Sequence, residues 1–121
     1  TYRELDEASG RLASVLMAEY GVRAGGMVAL LLPRSAHTVI SVLAVLKTGA
    51  GYVPVDVAHP DDRVRFVLAD SGAAALLTSG EQVARARALT DADRGGTGVA
   101  VVDVMDPAIE AAAVADIAHP R

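Results

Sequence analysis

LKTGAGYVPVD, residues Leu46 to Asp56, sets the chain's only lysine beside two glycines. Two readings compete. Either glycines wrap phosphates that Lys47 neutralises, or a helix ends at Gly49 and a strand begins at Gly51. A P-loop reads Gly-x-x-x-x-Gly-Lys-Ser/Thr, so that loop amides enclose the phosphates and the lysine follows the last glycine. Here the order is reversed, with Lys47 ahead of both glycines. Upstream, Val39, Ile40, Val42, Leu43, Val45 and Leu46 leave a helix little polar face, so this helix is expected to pack against a sheet on most sides. Lys47 then falls in its last turn, where a cation favours the negative end of the helix dipole and can reach unpaired carbonyls. Gly49 stops the helix. Pro54 lacks an amide hydrogen, which predicts a short or edge strand, and Gly51 is expected to admit a neighbouring backbone.

Working outward, TYRE at Thr1 to Glu4 is a capping box, and Tyr2, Leu5, Ala8, Leu12 and Val15 recur at helical spacing up to Gly21. This predicts a one-sided surface helix. Met27 to Leu32 is an unbroken apolar run behind Gly25-Gly26, the pattern of a strand covered on both faces. Ser35 is the expected cap of the next helix. After YVPVD, Pro60 falls in the first turn of a helix, with Asp61 and Asp62 at the positive end of its dipole and Val64, Phe66, Val67 and Leu68 continuing it to Gly72. Ala73 to Ser79 reads as a third strand, ARARAL as a helix, Val99 to Val104 as a fourth strand, and Pro107 to Arg121 as a tail with one or two helical turns. Strands that alternate with helices predict an α/β fold: a mostly parallel sheet, helices on both faces, right-handed crossovers.

The bulk composition agrees with this reading. The chain has 121 residues, 52% hydrophobic but only 3% aromatic, so its core must be aliphatic. That length holds one domain, burying roughly two thirds of its unfolded surface. Eleven Lys and Arg against fifteen Asp and Glu give a net charge of −4 with both signs scattered, which argues against nucleic acid as a partner. There is no cysteine, which excludes disulfides and thiolate metal sites. No apolar stretch reaches the roughly 18 residues a membrane span needs, and no leader-like segment is present, so a cytoplasmic location is the expectation.

Each motif that could carry chemistry also has a structural reading. VVDVMDP imitates the phospho-acceptor strand of a receiver domain, but LLLPRS supplies no acidic pair and no lysine follows Lys47; Asp103 reads as a turn former. His37, His59 and His119 show no ligand spacing, and Asp61, Asp62, Asp91 and Asp93 sit where helix starts and solvated loops place acids. Ser35 and Ser79 lack the Gly-x-Ser-x-Gly elbow. Thr78-Ser79-Gly80 begins like a phosphate loop but runs into Glu81-Gln82, so a helix cap is expected. No catalytic, cofactor-binding or metal-ligating residue is assigned.

Three stretches, TYRELDEASGRLASVL, GVRAGGMVALLLPRSAHTVISVLAVLKTGAGYVPVD and HPDDRVRFVLADSGAAALLTS, together resemble the N-terminal part of a nonribosomal peptide synthetase adenylation domain, within the adenylate-forming superfamily. The likeness is close from Thr1 to about Ser79 and persists in spacing beyond it. LKTGAGYVPVD is similar to the family's second core motif, LKAGxAYVPLD, with Thr48, Gly51 and Val55 as departures. TYREL matches the first core motif.

The resemblance implies that residues 1–121 are a single partial domain, part of the large N-terminal subdomain, ending before the phosphate-gripping motif TSGSTGxPKG. It implies a parent that joins an amino acid carboxylate to ATP, with Mg, and passes the acyl group to a carrier protein's phosphopantetheine thiol. The implied partners are the rest of the adenylation domain, condensation and carrier-protein domains, and an MbtH-like protein. Lys47 matches the family's catalytic lysine in neither motif nor place, so the segment alone is expected to be inactive. Two alternatives stay open: a non-catalytic interaction module or degenerate remnant that docks a condensation domain, and a free-standing flavodoxin-like ligand-binding domain.

Overall fold

The structure, a computed structural model, describes residues 2–33, 36–94, 96 and 98–111. Its centre is strand β1, Met27–Leu31, whose last four residues are all buried. β1 pairs in parallel with β2 (Gly51–Pro54) on one side, Met27 opposite Gly51, and with β3 (Ala75–Thr78) on the other, Val28 opposite Ala75. β4 (Ala100–Asp103) pairs in parallel with β3, giving the order β2-β1-β3-β4. The short edge strand expected from Pro54 is β2.

Successive strand side chains point to opposite faces, so the unbroken apolar run of β1 feeds two cores. Val28 and Leu30 join Leu12, Leu16 and Val45 under helices α1 (Tyr2–Tyr20) and α2 (Ala36–Lys47), with Ile109 of α5 (Pro107–Ala111). Ala29 and Leu31 join Val64, Leu68 and Leu89 under α3 (Asp61–Ser71) and α4 (Gln82–Thr90). The largest fully buried side chains are leucines and valines, each contributing about 1.5–3 kcal/mol on burial. Phe66, the one phenylalanine, is 59% exposed, with the Arg63 guanidinium 5.6 Å from its ring centre.

The connections explain the strand order. α2 carries the chain from β1 to β2 over one face, and α3 and α4 carry it back across β1 to β3 and on to β4 over the other. Direction and face reverse together, so all three crossovers share one hand, the consistency that the handedness rule demands.

Several expectations are corrected in detail. Tyr2 is 86% exposed, and α1 instead buries Ser9, Gly10 and the run from Leu12 to Leu16, Ser14 among them. The serines survive burial because Ser9 Oγ donates to the Leu5 carbonyl at 2.7 Å and Ser14 Oγ to the Gly10 carbonyl at 2.9 Å. α2 is less enclosed than its composition suggests: Val39 and Leu46 are 50% and 54% exposed, because the helix lies over an edge strand and keeps one flank free. Pro60 occupies the N-cap position rather than the first turn of α3, its carbonyl accepting from the Arg63 and Val64 amides. A 3-10 helix, Ala92–Arg94, follows α4 unannounced. The caps assigned to Thr1 and Ser35, and most of the tail after Ala111, lie outside the described residues.

In LKTGAGYVPVD Gly49 is the helix stop expected of it and also takes the role expected of Gly51. Gly49 has φ 83°, and a Cβ there would lie 2.9 Å from the Ala24 Cβ. The close approach expected at Gly51 is therefore made at Gly49, whereas a Cβ at Gly51 would meet the flexible Met27 thioether at 3.4 Å. Thr48, a departure from the family motif, is buried and satisfied, its hydroxyl donating to the Val45 carbonyl and accepting from the Ala50 amide. Gly49→Ala should destabilise the chain by at least about 1–2 kcal/mol in urea unfolding. Gly51→Ala should leave it unchanged or raise its stability by up to about 1 kcal/mol; equal losses at the two positions would refute this division of roles.

Candidate functional site

Open parallel sheets bind ligands outside the carboxyl ends of their strands, where the connections reverse. Here the reversal lies between β1 and β3, bounded by Leu32-Pro33 and by Thr78-Ser79-Gly80. Thr78 Oγ1 donates to the Leu31 carbonyl at 2.9 Å, tying the two strand ends together. Gly80, at φ 58°, turns the chain directly into α4: the Ser79 and Gly80 carbonyls accept from the Gln82 and Val83 amides at 3.2 Å. The cap expected at Thr78-Ser79 is thus made by a carbonyl. The N-cap residue, Glu81, is itself helical and makes no side-chain cap bond.

Two clefts flank the carboxyl end on the α1 face. One, of about 340 Å³, lies between α1, α2 and the turn after β4, and Arg11, His37, Ser41 and Met105 help line it. Ser41 Oγ donates to the His37 carbonyl at 2.7 Å, and Arg11 lies 3.8 Å from Glu7. The other, of about 310 Å³, presents Glu19, Asp103 and Asp106. Asp103 is the turn former anticipated, its Oδ1 accepting from the Met105 amide at 2.9 Å and its carbonyl from the Asp106 amide at 3.0 Å. Among the described residues no three His, Cys, Asp or Glu side chains are gathered to hold a metal.

The remaining candidates are dispersed. Lys47 does end α2, but its ammonium turns away from that helix's own carbonyls, donating to the carbonyl and to Oδ1 of Asp6 on α1, each at 2.7 Å. Its side chain is only 16% exposed, so the contact to a neighbouring helix replaces most of its hydration. His59 is exposed in the β2–α3 connection, Asp62 lies 3.4 Å from Arg65, and Asp91 Oδ1 accepts from the Asp93 amide at 3.0 Å. His119 falls outside the described residues.

The residue that sequence reasoning passed over is Arg85. Its Nε donates to Asp61 Oδ1 at 2.9 Å, one terminal nitrogen to the Val57 carbonyl at 2.7 Å and to Gln82 Oε1 at 3.3 Å, and the other to the His59 carbonyl at 2.6 Å. A planar fork of donors is suited to gathering acceptors that diverge this way. The clamp fastens the β2–α3 connection to α4. In the sequence, Arg85 and Arg87 look alike, and only the fold sets one of them over the open carbonyls.

The fold defines a class before it defines a family: a parallel sheet layered by helices on both faces, as in the N-terminal subdomain of adenylate-forming enzymes. The structure superposes on the N-terminal domain of FACL13 from Mycobacterium tuberculosis with a TM-score of 0.83 and 26% identity, over 100% of this chain and 31% of that one. On the nonribosomal peptide synthetase FmoA3 the TM-score is 0.79 with 30% identity, over 100% of this chain and 12% of that one. The family model described as AMP-binding enzyme matches residues 1–120, and the chain belongs to that family. It is 44% identical over 93 residues to N-(5-amino-5-carboxypentanoyl)-L-cysteinyl-D-valine synthase of Amycolatopsis lactamdurans, which covers 77% of this chain and 2% of the relative. It is 53% identical over 79 residues to isonitrile lipopeptide synthase of Mycobacterium tuberculosis, covering 65% and 3%. The match to novobiocin biosynthesis protein H of Streptomyces niveus is 48% over 85 residues, covering 70% and 14%. The chain therefore spans a small fraction of the length of the curated relatives it matches.

Arg85→Ala should cost about 1.5–3 kcal/mol in thermal unfolding and speed amide exchange in the β2–α3 connection. Arg85→Lys should recover less than half of that loss, since one ammonium cannot span the four acceptors. Full recovery by lysine would show that charge alone holds the connection.

Proposed function

We propose that this chain is the N-terminal structural segment of an amino-acid-activating adenylation domain in nonribosomal peptide synthesis. The parent reaction joins an amino acid to ATP, giving aminoacyl-AMP and pyrophosphate, and then transfers the acyl group to a carrier-protein thiol. Family membership and the likeness to peptide synthetases support the parent activity. The structural role of the segment rests on one observation: its sole ammonium is held by Asp6 on a neighbouring helix, away from the carboxyl ends of the strands.

Adenylation requires positive charge and oriented donors around the transferring phosphoryl centre. The described residues do not fit ATP with Mg. Gly80 leads into Glu81 at the start of α4, and the 310 Å³ cleft presents three acids, which would repel a triphosphate. Nucleotide, metal and catalytic lysine would be held by other parts of the domain, and this segment would hold the sheet on which they are mounted. Condensation and carrier-protein domains, and an MbtH-like protein, are the partners this reading entails.

The test is amino-acid-dependent ATP–pyrophosphate exchange. The 121-residue chain should give no more exchange than a blank, and a polypeptide that completes it with the remainder of an adenylation domain should give exchange that depends on its cognate amino acid. Exchange catalysed by the 121 residues alone would overturn the structural role.

A further inference from the structure

One flank of the molecule is apolar and uncharged. Val39, Val42 and Leu46 lie on one side of α2, at helical spacings of three and four residues, and Val39 and Leu46 are half exposed. Tyr52 and Pro54 stand beside them: they pair with Val28 and Leu30, whose side chains point to the α1–α2 face, so theirs point there too, and Tyr52 is 41% exposed. Other helices carry the charges of solvated surfaces, as in Asp61, Asp62, Arg63 and Arg65 of α3 or Arg3, Glu4 and Glu7 of α1. α2 carries none before Lys47, which is turned onto α1.

The same flank is poorly suited to strand addition. The Gly51 and Val55 amides donate into β1, to the Gly26 and Leu30 carbonyls at 2.9 and 2.7 Å. Alternation therefore directs Tyr52 and Pro54 to the free edge, where Pro54 has no hydrogen to donate and Tyr52 is left as the one amide donor of the strand. Side-chain packing suits an occupant better than a ladder of hydrogen bonds.

We infer that the α2–β2 flank is the surface on which the rest of the same adenylation domain packs, through an uncharged, apolar layer that does not extend the sheet. The inference rests on the proposed function and assigns the surface through which the segment meets the rest of the domain. Two observations select that occupant over a second copy of the chain. The solved FACL13 domain holds this entire fold in 31% of its length, so about two thirds of that molecule is further chain available to cover such a flank. A helix made almost wholly of Val, Leu, Ile and Ala on its outer side also suits a permanent interface better than a transient one, which keeps more polar groups.

The chain has no cysteine, so Leu46→Cys and, on the opposite face, Phe66→Cys each introduce a single thiol. Maleimide labelling in the 121-residue chain should be fast at both positions. In a polypeptide carrying the complete adenylation domain, the thiol at position 46 should react at least about tenfold more slowly while that at 66 stays fast. Val39→Asp with Leu46→Asp should leave the melting temperature of the short chain unchanged and lower that of the complete domain. Equal labelling at 46 in both contexts overturns the inference, as does protection in the short chain that grows with concentration, the mark of a second copy. Pyrophosphate exchange by the same complete domain reports the functional reading separately: a domain that is active yet unprotected at 46 refutes only the interface, and one protected but inactive refutes only the activity.

Discussion

β1 has no free surface. Both of its hydrogen-bonding edges are taken, by β2 and β3, and both of its faces are covered, by α1 and α2 on one side and by α3 and α4 on the other. A strand in that position tolerates neither a charge nor a proline, and MVALL contains neither. Every other placement follows. The helix after β1 must return the chain to one edge, the helix after β2 must cross to the other, and the reversal opens the sheet between β1 and β3 at its carboxyl end. The glycine turn at Gly49 and the Ala24 backbone meet because β1 and β2 start level with one another, Met27 opposite Gly51.

How much of this was legible depended on whether the signal was local. The β1 run, the Gly49 stop and the proline-marked edge strand were readable because burial on two faces, a left-handed turn and a missing amide each leave a mark in a few adjacent residues. The partner of Lys47 was not, because Asp6 lies 41 positions away and nothing in either neighbourhood names the other. Arg85 was hidden for the same reason: two of its four acceptors are backbone carbonyls, which every residue has, and Asp61 lies 24 positions away. The exposed flank of α2 was misread from composition, since an apolar helix over a central strand and one over an edge strand have the same sequence pattern.

The clefts at the carboxyl end follow from the topology. Ser41 beside one bonds the His37 carbonyl, and Asp103 beside the other closes its own turn. The helices that meet solvent carry charges on α1 and α3, whereas α2 presents an apolar flank. The clamp made by Arg85 fixes the β2–α3 connection to α4.

The central position of β1 also bears on how the chain is made. Its second hydrogen-bonding partner, β3, lies far downstream; Thr78, which bonds the Leu31 carbonyl, follows it by 47 residues. At translation rates of about 5–20 residues per second, the most apolar strand of the molecule emerges about 2–9 seconds before it can be enclosed on both sides. For that interval the nascent chain carries an open, sticky ribbon near the ribosome exit, a natural client for a holdase chaperone.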